Sequence, residues 1–196
     1  PDCRQTTWPH SFCTLPSFTW LKLQAGLRLL WQIAMQRNDS KLFNKVFFNA
    51  RGNCAMPQAA TAGIEGLSPA LADLCDLNRY SNAQNSPYHT AVYHISWLLP
   101  IKCSTGTMLN FMIFPGSLPE SFKALLELSD PRALALMALW YTKVSNSTWW
   151  MSPRAAADFD AIYQYLLVVH PSEHKLLGML RLAKQIATQD GLSGNI

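Results

Sequence analysis

Residues 130–151, DPRALALMALWYTKVSNSTWWM, are the key to the architecture. Asp130 stands where a helix N-cap belongs, and Pro131 takes the first helical position, where its missing N–H leaves no hydrogen bond unmade. From there Leu134, Met137, Tyr141 and Val144 recur at helical spacing along one face, while Leu136, Leu139 and Trp140 cover the others. A helix over about 131–145 with no polar face must be surrounded by other elements, so it is the centre of the molecule. Lys143, Ser145, Asn146 and Ser147 bring it to an end, and Trp149 and Trp150 then return roughly 200 Å² of apolar surface each toward the bundle. On a helical start the two rings diverge, so one plugs the core while the other faces a cavity or a partner.

The same punctuation recurs on either side of this segment. Ser68-Pro69 precedes ALADLCDL, Ser86-Pro87 precedes YHTAVYHISWLL, and Ser152-Pro153 opens the segment after the tryptophans. Each is a cap followed by Pro ahead of an apolar run. Earlier, Ser17 caps FTWLKLQAGLRLLWQIAMQ, in which Leu23, Leu27, Leu30, Trp31 and Ala34 fall on one face. Asp39 opens a second helix, SKLFNKVFFNA, with Leu42, Val46 and Phe47 inward and Lys41 and Lys45 outward. No strand alternation or Asn-Gly hairpin turn appears. The expected fold is all-α: a single-domain multi-helix bundle built on the apolar central helix, with a hydrophobic pocket. An irregular arm spans 1–17, the helical domain 18–188 with a long loop at 49–67, and a tail 189–196. A loop of that length inside a domain is a lid, a mobile loop or a connector.

The 196 residues are 49% hydrophobic and only 14% charged, against roughly 25% charged in an ordinary globular protein, so much apolar surface has to be hidden in a core, a pocket or an interface. The longest run free of charged and strongly polar side chains, Ala133 to Tyr141, is about half of the ~20 residues a bilayer span needs, and no membrane span is expected. The net charge of +4 is scattered. Arg37, Lys41 and Lys45 share one helix face, too narrow a patch for phosphate tracking, so no direct nucleic-acid contact is expected from this segment. The five cysteines, Cys3, Cys13, Cys54, Cys75 and Cys103, lack any C-x-x-C spacing, which favours buried, reduced thiols in an intracellular protein over a zinc site or a disulfide framework.

Several motifs invite chemistry and fall short of it. His170-Pro171-Ser172-Glu173-His174 matches H-x-x-E-H, in which two histidines one turn apart bind zinc. Here Pro171 pushes His170 out of the helical region, so the two histidines do not share a face and the motif reads as a helix boundary. Asp73 with Asp76, and Asp158 with Asp160, are read as solvated or capping pairs. Neither a P-loop nor G-x-S-x-G is present, and no metal or cofactor is expected. His89, His94, Tyr88 and Tyr93, on the helix after Pro87, each offer a polar contact inside an apolar cavity.

Three segments carry a resemblance: WLKLQAGLRLLW near the start, FMIFPGSLPESFKALLELSDPRALALMALWYTKV in the centre, and STWWMSPRAAADFDAIYQYL after it. Their order from about Leu15 to Tyr165 resembles the C-terminal regulatory region of fungal zinc-cluster transcription factors, most of all those similar to the sterol uptake control proteins. The most specific part is F-P-x-x-x-P-x-x-F followed by P-R-A-L and then the Trp-Trp pair. The resemblance implies an all-α ligand-sensing domain, often dimeric, that binds a sterol and acts in the cytoplasm and nucleus. The six-cysteine zinc cluster with which that family contacts DNA has no counterpart in this sequence, as expected if the chain is part of a longer protein.

The apolar surplus together with this resemblance implies a lipid-like ligand held by Phe111, Phe114, Met137, Trp140, Tyr141, Trp149 and Trp150, with Tyr88, Tyr93 or His94 meeting its one polar group. Two alternatives remain open: a small biosynthetic enzyme of cyclase or isomerase type acting on a hydrophobic substrate, and a protein-interaction domain whose surplus apolar area forms a homodimer face.

Overall fold

A computed structural model describes residues 15–23, 62–104, 106–145 and 151–192, with side chains as far as residue 186. The architecture is all-α, as the helical spacing predicts, and no strand occurs among the described residues. The helix expected over 40–50, most of the loop at 49–67, and Trp149 and Trp150 lie outside those residues. No described helix is long and apolar enough to cross a membrane. The chain divides into two compact units, the first over Phe18–Glu127 and the second over Pro1–Ser17 and Leu128–Ile196.

In the first unit, residues 19–23 are helical. Leu21 is the buried residue of this turn, whereas Leu23, expected on the inner face, is 70% exposed. The expected stripe takes its phase from Leu27 to Ala34, and the burial of Leu21 in place of Leu23 departs from it in this first turn. Lys22 Nζ lies 2.7 Å from Glu127 Oε1. The hydrogen bond to that carboxylate, and then its charge, raise the lysine pKa above its ordinary value.

Four helices follow: α1 (Pro69–Leu74), α2 (His89–Leu98), α3 (Met108–Ser117) and α4 (Glu120–Glu127). α1 starts at Pro69 as the Ser-Pro signal requires, but the Ser68 side chain makes no cap bond. Instead, the Ser68 N–H donates to Ser96 Oγ on α2 at 2.8 Å, so the start of α1 is tied to its neighbour. α1 ends early: Asp76 adopts the left-handed region at φ 51°, which Asp tolerates better than most residues. α2 begins two residues after Pro87, buries Ala91, Val92, Ile95 and Leu98, and packs against α1 and α3.

Pro115 sits inside α3, where it cannot donate to the Phe111 carbonyl one turn back. The helix stops two residues later, and Leu118 turns extended, as a residue before proline must. Pro119 then leads into α4, whose Phe122 and Leu126 face inward. The F-P-x-x-x-P-x-x-F pattern is thus a helix end, a hinge and a helix start, with Phe114 and Phe122 both fully buried at its two ends.

The second unit holds α5 (Pro131–Ser145), α6 (Ser152–Val169) and α7 (His174–Leu192). Asp130 Oδ1 accepts the Ala133 N–H at 2.9 Å, the expected N-cap bond. Every residue from Ala133 to Val144 is buried, and α5 packs against both α6 and α7. The central position predicted for this helix is therefore met around its whole circumference. Two of its hydroxyls are satisfied within the helix: Thr142 Oγ1 donates to the Leu139 carbonyl at 2.7 Å, and Ser145 Oγ to that of Thr142 at 2.9 Å. α6 starts at Ser152 with Met151 in the cap position, so Ser152 is the first helical residue and not the cap. α7 reaches Leu192, beyond residue 188 where the sequence reading placed the end of the helical domain.

Candidate functional site

Among the candidate residues, the best-defined polar group is His94. α2 buries it to 6% exposure. Its Nδ1 is 2.9 Å from Ser117 Oγ at the end of α3, and the same hydroxyl donates to the Phe114 carbonyl at 2.7 Å. A carbonyl only accepts, so the single hydroxyl proton points to Phe114, and the serine oxygen is left to accept from His94 Nδ1–H. That selects the neutral imidazole with its proton on Nδ1 and an acceptor lone pair on Nε2. Burial disfavours the charged ring and pushes the His94 pKa down to about 4, so the ring is neutral at physiological pH.

The first unit also holds four further sequence candidates. Phe111 and Phe114 come from α3 and are fully buried. Tyr93 lies edge-on to His94 with ring centroids 6.0 Å apart, and Tyr88 lies edge-on to Phe122 at 6.5 Å. Ser117 is the member that sequence reasoning missed. Its signal was its place one turn after Phe114 in FPGS, where a short hydroxyl can bond back to the helix carbonyl.

The other described candidates belong to the second unit. Met137, Trp140 and Tyr141 are buried on α5, and the Trp140 and Tyr141 rings are tilted against each other at 5.1 Å.

His89 has a structural role. It is fully buried, and its Nε2 lies 2.9 Å from the Gly63 carbonyl, which requires the proton on Nε2. This bond holds residues 62–67 against the start of α2, and Gly63 supplies the φ of 100° that the connection needs.

The H-x-x-E-H motif is a helix boundary, as its proline implies. His170 ends α6, His174 starts α7, and His170 Nδ1 meets Glu173 Oε1 at 2.9 Å. No group of three or more potential metal ligands occurs among the described residues. Asp73 and Asp76 do not share a helix face, because α1 ends between them. Asp158 pairs with Arg154 of its own helix at 3.5 Å. Cys75 and Cys103 are buried thiols.

A separate open cleft of about 450 Å³ lies in the first unit, between the end of α1 and the turn leading to α2. Its walls include Asp76, Tyr80, Ser81, Asn85 and Tyr88. Of the described residues expected at a hydrophobic site, Tyr88 alone lines it, and the lining is predominantly polar.

Compared with models of known protein families, with curated proteins and with solved structures, the chain gives no significant match.

Proposed function

We propose that this chain is the all-helical regulatory region of a fungal zinc-cluster regulator, acting in the cytoplasm and nucleus, and that it takes a hydrophobic ligand bearing one hydroxyl, of which a sterol is the reference case. The observation that carries the ligand assignment is His94: a buried, neutral imidazole with its Nδ1–H committed to Ser117 and an acceptor lone pair on Nε2. A lone hydroxyl donor on an apolar body is the complement of such a group. Because Phe111 and Phe114 are fully buried, binding requires α3 side chains to part, so the ligand selects an opened state and does not fill a standing cavity.

Native mass spectrometry of the protein purified from its own host would reveal a retained lipid together with the oligomer mass. A ligand that binds only the native state stabilises it by about 2.7 kcal/mol at a free concentration of 100 Kd, so ergosterol at saturating, soluble concentration should raise Tm. His94→Phe should abolish that rise. No shift with ergosterol or related sterols sinks the ligand assignment.

A second reading, homodimerisation without a small ligand, draws on Val168 and Leu182, 64% and 37% exposed on α6 and α7. Light scattering after size exclusion decides it: a monomer at high concentration rules the dimer out.

A further inference from the structure

We propose that the open cleft between α1 and α2 is a binding site for a small protonated amine, distinct from the hydrophobic site proposed around His94. The first ground is preorganisation. The non-helical stretch from Asn78 to Ser86 is held by its own side-chain amides and hydroxyls: Asn78 N–H donates to Ser81 Oγ at 2.9 Å, Tyr80 N–H to Asn78 Oδ1 at 2.9 Å, and Asn82 N–H to Asn85 Oδ1 at 2.8 Å. Asn82 Oδ1 in turn accepts from Gln84 and Asn85 N–H, and Asn85 Nδ2 donates to the Tyr80 carbonyl at 2.8 Å. Gly63 N–H donates to the Ser81 carbonyl at 2.8 Å, and the Gly63 carbonyl meets His89 Nε2, so this wall is also fastened to α2. The cleft therefore has its shape before any ligand arrives, which lowers the ordering cost of binding.

The second ground is the chemistry of the walls. Asp76 is the one charged residue among the described residues lining the cleft, and it shares that lining with hydroxyls, amides and two tyrosines. Tyr80 is 67% exposed, and the Arg79 guanidinium already stands over its ring, 4.7 Å from the centroid. The ring is thus a cation acceptor in this setting, and an ammonium ligand exchanges with Arg79 there while its charge is met by Asp76. A volume of about 450 Å³ suits a molecule of a few carbons. With Asp76 the one charged side chain among the described lining residues, the cleft favours a cation over an anion or a neutral isostere of the same length.

The test is a charge series of one length, 1,4-diaminobutane, butane-1,4-diol and succinate, titrated into the full chain with backbone amide shifts followed by NMR. The diamine should give saturable shifts at amides of residues 75–88, and the other two should not. Asp76→Asn, which keeps a residue able to adopt the left-handed backbone, should weaken diamine binding at least tenfold. Tyr80→Leu, at an exposed position, should weaken it severalfold and serves as the second variant if Asp76→Asn disturbs the fold. The proposal is overturned if the diol or succinate binds as tightly as the diamine. Shifts that fail to saturate or map elsewhere, or variants that bind like the parent, overturn it equally.

Discussion

Ser117 Oγ stands 2.9 Å from His94 Nδ1 and 2.7 Å from the Phe114 carbonyl, and the second contact sets the direction of the first: the histidine donates. An acid-sensitive contribution to stability follows. The unfolded ring titrates near 6.5 and the folded one near 4, because burial disfavours the charged form. The native state therefore binds fewer protons between those values. His94 contributes no penalty above about pH 6.5; as pH falls toward 4 stability drops, by at most about 3 kcal/mol at 1.36 kcal/mol per pH unit, and the loss is complete below the folded pKa. Urea midpoints measured from pH 7 to pH 4 should fall for the parent and flatten for His94→Gln. An equal slope in the two proteins would show that other groups govern the acid response.

The helix starts look alike in sequence but differ in what holds them. Asp130 Oδ1 caps α5 directly, so Asp130→Ala should cost about 0.5–2 kcal/mol. Ser68 makes no side-chain cap bond, and its N–H is satisfied by Ser96 Oγ. Ser96→Ala should therefore destabilise more than Ser68→Ala, by about 1 kcal/mol for the lost bond. Chemical denaturation of the three variants gives the order directly.

Two glycines should respond with opposite signs. Gly178 lies in α7 with nothing within 4 Å of an added Cβ, and Ala there should stabilise by about 0.5–1 kcal/mol through helix propensity. Gly63 also has room, its nearest neighbour being the Arg79 carbonyl at 3.7 Å, but φ is 100°. Gly63→Ala should therefore lower Tm through backbone strain, and should loosen the His89 contact visible in the imidazole NMR signals.

In α5, Leu136 and Leu139 lie outside the face defined by Leu134, Met137, Tyr141 and Val144, yet all are buried. Leu136→Ala and Leu139→Ala should each cost about 2–5 kcal/mol, as much as Leu134→Ala. An amphipathic helix would lose that much on one face only, so near-zero effects at Leu136 and Leu139 would contradict the central placement.

The all-α class, the Asp130-Pro131 start and the burial of the whole 131–145 helix were legible in the residues alone. They rest on local capping and on a helix without any polar face, for which a single solution exists: neighbours on every side. The histidine boundary at 170–174 was legible for the same reason, because Pro171 acts on the residue beside it. Helical spacing puts Leu23 on the inner face, whereas Leu21 is the buried residue, since an amphipathic face is a collective property of a helix and its partner. Folding in three dimensions was needed to show that Ser117 meets His94, that Ser96 holds the start of α1, and that His89 fastens Gly63. Those pairs join groups 23 to 28 positions apart. The polar cleft within residues 75–88 depends instead on how a turn without regular period folds on itself. Spacing in the sequence carries no signal for such pairings, because chain topology and not helical period brings the groups together.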